Sequence, residues 1–189
     1  MALQRTMKYQ FAVLFLLSVS YTLCVEGNES AVKLLKGTTI FLVGLSEESL
    51  PPAPNVSCVN STYLGGTENK LLHKVQYEEQ DAKDPHEWIL GERNVTFTIG
   101  EETKDGSTLT ILEIYPPTYS VYLGKFALLS KEGCIIVGDN MPDNSGKQRC
   151  LIWGEVHTFD RLPRDCQKMF DEKCSDGKKI TEQDFEDCN

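Results

Sequence analysis

From Gly37 to Trp153 the chain runs as short apolar or alternating stretches separated by turn residues. Alternation with a period of two is the pattern of strands that bury one face. It predicts strands over Thr38–Val43, Val56–Tyr63, Leu71–Tyr77, Asn94–Ile99, Thr108–Tyr115, Tyr119–Leu129, Cys134–Val137 and Arg149–Trp153. The breaks fall at Pro51-Pro52, Gly65-Gly66, Asp105-Gly106, Pro116-Pro117 and residues 139–146, and Asp105-Gly106 between two β-rich runs marks a hairpin. Eight short strands at fairly even spacing mean a sandwich or a barrel. Helical patterning is confined to the flanks. A short helix is expected over Glu29–Lys36. A firmer one covers Arg164–Lys173: Pro163 sits where a first turn tolerates it, and Cys166, Met169, Phe170 and Cys174 share one face. No internal repeat or low-complexity segment is present.

The N-terminus sets the compartment. Arg5 and Lys8 precede an almost wholly apolar run, Phe11–Val19, followed by small residues between Thr22 and Gly27. This is the order of a secretory signal peptide, and the run is too short to span a bilayer. Cleavage is expected after Cys24 or Gly27, and a start at Met7 would change nothing downstream. Residues 28–189, about 162 of them, suit a single domain with its own core. No later segment reads as a membrane span or a lipid-anchor tail. Loss of residues 1–27 removes two basic residues and one acidic residue, so the formal charge moves from −9 to −10. An acidic chain without a basic cluster is a poor partner for nucleic acid, and the charge serves solubility.

Cleavage also removes Cys24 and leaves Cys58, Cys134, Cys150, Cys166, Cys174 and Cys188. An even number in an exported chain reads as disulfides, with 15 possible pairings. No Cys-x-x-Cys spacing is present, so no metal site is expected. Asn28, Asn55, Asn60 and Asn94 each head an N-x-S/T sequon and propose glycosylated surface positions. They help to assign faces. With Asn94 in solvent, Val95, Phe97 and Ile99 point inward; with Asn60 in solvent, Val59, Ser61 and Tyr63 point inward and Cys58 outward. Ile135 and Val137 lie opposite Cys134, and Leu151 and Trp153 opposite Cys150. The strand cysteines thus face out, within reach of helix and tail cysteines, and the interior is apolar and aromatic.

Signals for catalysis are weak. His73, His86 and His157 are far apart and sit in no recognised motif, although His73 faces inward beside Val75. No G-x-S-x-G, H-E-x-x-H or phosphate loop occurs. Residues 172–183 echo an EF-hand loop but lack its terminal Glu and place Cys174 at a ligand position. An immunoglobulin-like sandwich is disfavoured because Trp88 follows Cys58 by 30 residues; Trp88 and Trp153 read as core. The expectation is a binding protein, not an enzyme, with no cofactor.

Residues Gly37 to Cys188 resemble the tick salivary lipocalins, the family of histamine-binding and related blood-feeding proteins. Gly37-Thr38-Thr39-Ile40-Phe41-Leu42-Val43 is similar to that family's first strand. Cys150-Leu151-Ile152-Trp153, then Pro163, Cys166, Phe170 and Cys174, is similar to its last strand and C-terminal helix, and Asp187-Cys188 to its final cysteine. The resemblance implies a mainly β fold: an eight-stranded antiparallel lipocalin barrel with a C-terminal α-helix packed outside. It also implies the pairs Cys58–Cys188, Cys134–Cys166 and Cys150–Cys174. Amine-binding members carry Cys-Asp-aliphatic, then Glu-Leu-Trp/Tyr, then a further Cys. Here Cys134-Ile135-Ile136 is followed after 14 residues by Leu151-Ile152-Trp153, and after 12 more by Cys166. The spacing is kept, but both acidic positions are apolar. A buried amine needs a carboxylate partner, so amine binding is the lesser reading, with Glu113 a substitute acid.

The interior is then suited to an apolar ligand, with Val59, Tyr63, Val95, Phe97, Ile99, Ile135, Leu151 and Trp153 as its wall. Covering roughly 300 Å² of ligand at ~25 cal/mol per Å² gives a gross ~7 kcal/mol before binding costs. The competing reading is a barrel filled by its own side chains. Within the family, the apolar interior and the sequons are most similar to the Japanin-like branch. The apolar wall suits a sterol or a fatty-acid chain, and that likeness implies a sterol such as cholesterol and modulation of host dendritic cells. The expected protein is a monomer secreted in saliva, acting on a host cell-surface or soluble immune protein. A scavenger of histamine or serotonin and a pure protein-interaction module are the alternatives.

Overall fold

Each of the eight predicted strands forms. The computed structural model describes residues 26–37, 39–46, 56–84, 86–101, 107–115, 119–139, 142, 144–155 and 161–180. The signal segment, Asn55, the Pro51-Pro52, Asp105-Gly106 and Pro116-Pro117 turns, His157 and Cys188 lie outside them. The elements are α1 (Glu26–Lys36), β1 (Ile40–Ser46), β2 (Val56–Gly66), β3 (Lys70–Gln80), β4 (Trp88–Ile99), β5 (Ser107–Tyr115), β6 (Tyr119–Lys131), β7 (Cys134–Gly138), β8 (Cys150–Gly154), α2 (Arg164–Lys173) and a short β9 (Gly177–Lys179).

Strands β2 to β8 pair antiparallel in sequence order, and β8 pairs with β1. The ring closes where β1 meets β2 through Ile40–Ser61 and Phe41–Asn60. Closure turns a sheet with two open edges into a barrel, the β architecture that removes edges altogether. The β1–β2 seam is short because β1 shifts register between Leu42 and Gly44. From Gly44 to Ser46 its outer side pairs instead with β9, an element the sequence pattern did not predict.

The strands run longer than their apolar patterns. The largest difference is β4, which begins at Trp88 because β3 pairs with it without interruption from Gln80–Trp88 to Lys70–Thr98. Residues 88–93 lie beyond the last β4–β5 pair, Asn94–Ile114, near the tip of the β3–β4 hairpin. Trp88 is therefore 44% exposed. The expectation that it belongs to the core is corrected.

Two apolar clusters hold the fold together. The inner one fills part of the barrel with Val95, Phe97, Ile99, Leu109, Ile135 and Val137, and α1 adds Ala31, Leu34 and Leu35 to it. Among the described residues helix α1 makes its main contacts with β6, β7 and β2, so it covers one end of the barrel. The outer cluster lies between the barrel wall and α2: Val43, Ile136 and Ile152 meet Phe170. The odd-numbered residues of β7 thus face inward and the even-numbered ones face α2, as the period of two requires. The two-residue turn Glu132-Gly133 joins β6 to β7, with Gly133 at φ +83°, a region that suits glycine.

Disulfides join Cys134 to Cys166 and Cys150 to Cys174, fastening both ends of α2 to β7 and β8. Cys58 is also disulfide-bonded, and its partner lies outside the described residues. No helix among the described residues is long and apolar enough to cross a membrane.

Candidate ligand-binding site

Inside the barrel the inward rows of neighbouring strands leave a cavity of about 220 Å³. Its wall is Val95 and Phe97 of β4, Leu109 and Ile111 of β5, Ile135 and Val137 of β7, and Leu151 and Trp153 of β8. Leu35 of α1 and Ile40 of β1 complete it on the side covered by the helix. The volume lies below the ~300–1,000 Å³ usual for drug-sized sites, so a larger molecule would extend toward the uncovered end.

Five of the predicted wall residues line this cavity: Val95, Phe97, Ile135, Leu151 and Trp153. Ile99 is buried in the inner cluster, and Tyr63 packs against that cluster. Val59 does neither. Strand β2 shifts register between Ser57 and Asn60, with Cys58 at φ +55° in the left-handed region. Such a bulge breaks the alternation that assigned Val59 its face.

The wall also holds polar groups. Arg93 and Glu113 both line the cavity, with Arg93 Nε 3.0 Å from Glu113 Oε1. The Glu113 side chain is 11% exposed and that of Arg93 50%, so the carboxylate sits inside and the guanidinium reaches out. Tyr115 donates a hydrogen bond to Glu113, which raises the phenol's pKa above its ordinary value. Arg93 also lies 5.8 Å over the Tyr77 ring, a cation–π contact. Glu113, weighed from sequence as a substitute acid, is thus present in the wall but already carries a cation. The inward place of Arg93 could have been read by extending the Val95–Phe97 row backward by one step.

A second polar pair is fully buried. Ser61 Oγ lies 3.0 Å from His73 Nδ1. The His73 ring is 4.7 Å from that of Phe97 and 5.6 Å from that of Tyr63. Burial lowers its pKa from 6.5 to about 4, so the imidazole is neutral at physiological pH. Its Nε2 has no hydrogen-bond partner among the described residues. His86, by contrast, is exposed in the β3–β4 turn, where its backbone N–H donates to Asp84 Oδ1.

The end away from α1 carries exposed apolar side chains. Leu90 and Trp88 of β4 and Tyr119, Tyr122 and Leu123 of β6 are 44–63% exposed, and Tyr119 stacks on Tyr115 at 5.0 Å. Among the sequons, Asn60 lies on β2, where its side-chain amide donates to the Cys58 carbonyl at 3.4 Å, and Asn94 lies on β4; both are half-buried. Asn28 falls in α1. No cluster of three or more metal-ligating side chains occurs among the described residues.

A closed eight-stranded antiparallel barrel, one helix across an end, a second helix on its outside and an apolar cavity within together define a lipocalin. The profile of the tick histamine binding protein family matches residues 30–189. The chain belongs to that family of tick lipocalins. Among solved structures it is similar to Japanin from Rhipicephalus appendiculatus bound to cholesterol, with a TM-score of 0.58 and 16% identity, covering 78% of this chain and 94% of that one. No curated protein sequence matches it.

Proposed function

We propose that this chain is a secreted salivary lipocalin that carries a small apolar molecule in its barrel and dampens host immune defence, with dendritic cells as the target. The observation that carries the ligand reading is the make-up of the wall. The positions that are acidic in amine-binding members are Ile135, 1% exposed, and Leu151, and both line the cavity. Among the described residues the one carboxylate in the wall, Glu113, is held by Arg93. An entering ammonium would have to displace that guanidinium, whereas an alkyl or ring surface meets matching apolar groups on most sides. A sterol is the leading ligand class, since Japanin, of the same fold, is bound to cholesterol; a fatty acid is the next. The protein acts by binding, not by catalysis.

The presence of Glu113 in the wall keeps a second reading, the scavenging of histamine or serotonin, in view. Native mass spectrometry of the glycosidase-treated protein, with solvent extraction of co-purifying molecules, separates the two. A bound sterol or fatty acid is expected. An empty barrel that takes up histamine at submicromolar affinity would replace the apolar reading by the amine one. An empty barrel that takes up neither would move the function to the outer surface and loops.

A further inference from the structure

The Ser61–His73 pair has no place in an apolar wall or in an amine site, yet it stands beside the cavity. Ser61 lines it. Along β3 the next inward residue after His73 is Val75, and across the ladder His73 faces Val95; both are wall residues, as is Phe97 against its ring. His73 itself is 1% exposed, and its Nε2 has no hydrogen-bond partner among the described residues. Buried polar atoms in folded proteins are almost always satisfied, by protein, water or ligand. We propose that Ser61 and His73 form the polar handle of the site and hydrogen-bond the hydroxyl of an otherwise apolar alcohol.

The chemistry of the pair selects that group. If Nδ1 carries the proton it donates to Ser61 Oγ, and Nε2 accepts from the ligand. If Nε2 carries it, the Ser61 hydroxyl donates to Nδ1 and Nε2–H donates to the ligand. A hydroxyl both donates and accepts, so it satisfies either tautomer. A carboxylate can only accept, and it would bring a charge into the barrel while Arg93 is engaged by Glu113. An ammonium would bring a charge with no anion at this pair. The ligand class is therefore a neutral alcohol with a large apolar body, such as a 3-hydroxysterol, in preference to a fatty acid. This rests on the apolar-ligand reading and narrows it.

The test compares the affinity of the whole secreted protein for cholesterol, for cholest-5-ene (the same sterol without its hydroxyl) and for palmitate. The wild-type protein is expected to prefer cholesterol over cholest-5-ene by about fivefold to tenfold, the worth of one hydrogen bond. His73→Phe, which keeps an aromatic ring of similar shape, is expected to lose that preference while retaining cholest-5-ene. Ser61→Ala is expected to reduce it. Equal binding of the two sterols by the wild type overturns the handle and leaves the apolar-ligand reading standing. So does palmitate binding as tightly as cholesterol, or a His73→Phe protein that keeps the full preference. Binding of none of the three overturns the handle together with the reading it rests on. The wild-type comparison decides even where a variant fails to fold.

Discussion

His73 is the residue whose burial has the plainest thermodynamic consequence. It titrates near 6.5 in the unfolded chain and at about 4 in the barrel. Between those values the unfolded chain binds more protons, so stability falls as pH drops from 6.5 to 4 and this contribution is complete above 6.5. The shift corresponds to about 3 kcal/mol across the whole window. Denaturant unfolding at pH 7 and 4.5 is expected to show a loss of stability that is about 2 kcal/mol smaller in His73→Phe than in the wild type; equal losses would place the titration elsewhere. Arg93 offers a second test at this scale. Arg93→Ala leaves Glu113 inside the wall without its cation, so affinity for histamine by calorimetry is expected to rise at least about tenfold. An unchanged affinity would mean that the carboxylate is not what limits amine binding. Neither pair was readable beforehand as a pair. The inward side of His73 follows from alternation alone, but its meeting with Ser61 depends on a β2–β3 register that shifts at both Ser57–Asn60 and Tyr63–Gly65. Arg93 and Glu113 are 20 residues apart in sequence and meet only because β4 and β5 pair.

At the scale of elements, helix α2 is the clearest success of pattern reading. Its four face residues recur at helical spacing, and the observed bounds, Arg164–Lys173, are those expected. Strand β4 shows the opposite case. Gly91-Glu92-Arg93 interrupts its apolar pattern, and only the continuous pairing with β3 carries the strand back to Trp88. Strand β9 has no apolar run at all and exists because β1, past its bulge, has an outer side that β2 has left. The β1–β2 seam, with two residue pairs, is the weakest join in the ring. Cys58 sits on β2 just beyond it and is tied covalently outside the described residues, the family pairing naming Cys188. If that long loop is what is closed, the bond contributes on the order of 4–5 kcal/mol in the chain-entropy model. In Cys58→Ser, amide hydrogen exchange is expected to accelerate most along residues 56–60 and least in β7 and β8, which keep their own disulfides. Uniform acceleration would show that the seam opens only with the whole barrel.

For the molecule as a whole, the strand count and the inside-or-outside assignment of Ile135, Leu151 and Trp153 follow from period-two patterning, because a one-residue slip would expose an entire row. The choice of a barrel over a sandwich did not follow from periodicity, since it turns on whether the first strand returns to the second, a ladder of two residue pairs at Ile40 and Phe41. It came from the resemblance. Nor could the free volume be read from side-chain identity, since the same apolar residues can fill a barrel or line a cavity. The distribution of covalent ties has a mechanical consequence. No cysteine lies between residues 59 and 133, so β3 to β6 carry none, while β7 and β8 are each clamped to α2. The barrel thus has a braced half and a compliant half. If the barrel carries cargo as proposed, β3 to β6 are the strands free of covalent ties that would flex to admit it, and the residence time of the cargo and the durability of the fold would then be set by different parts of the chain.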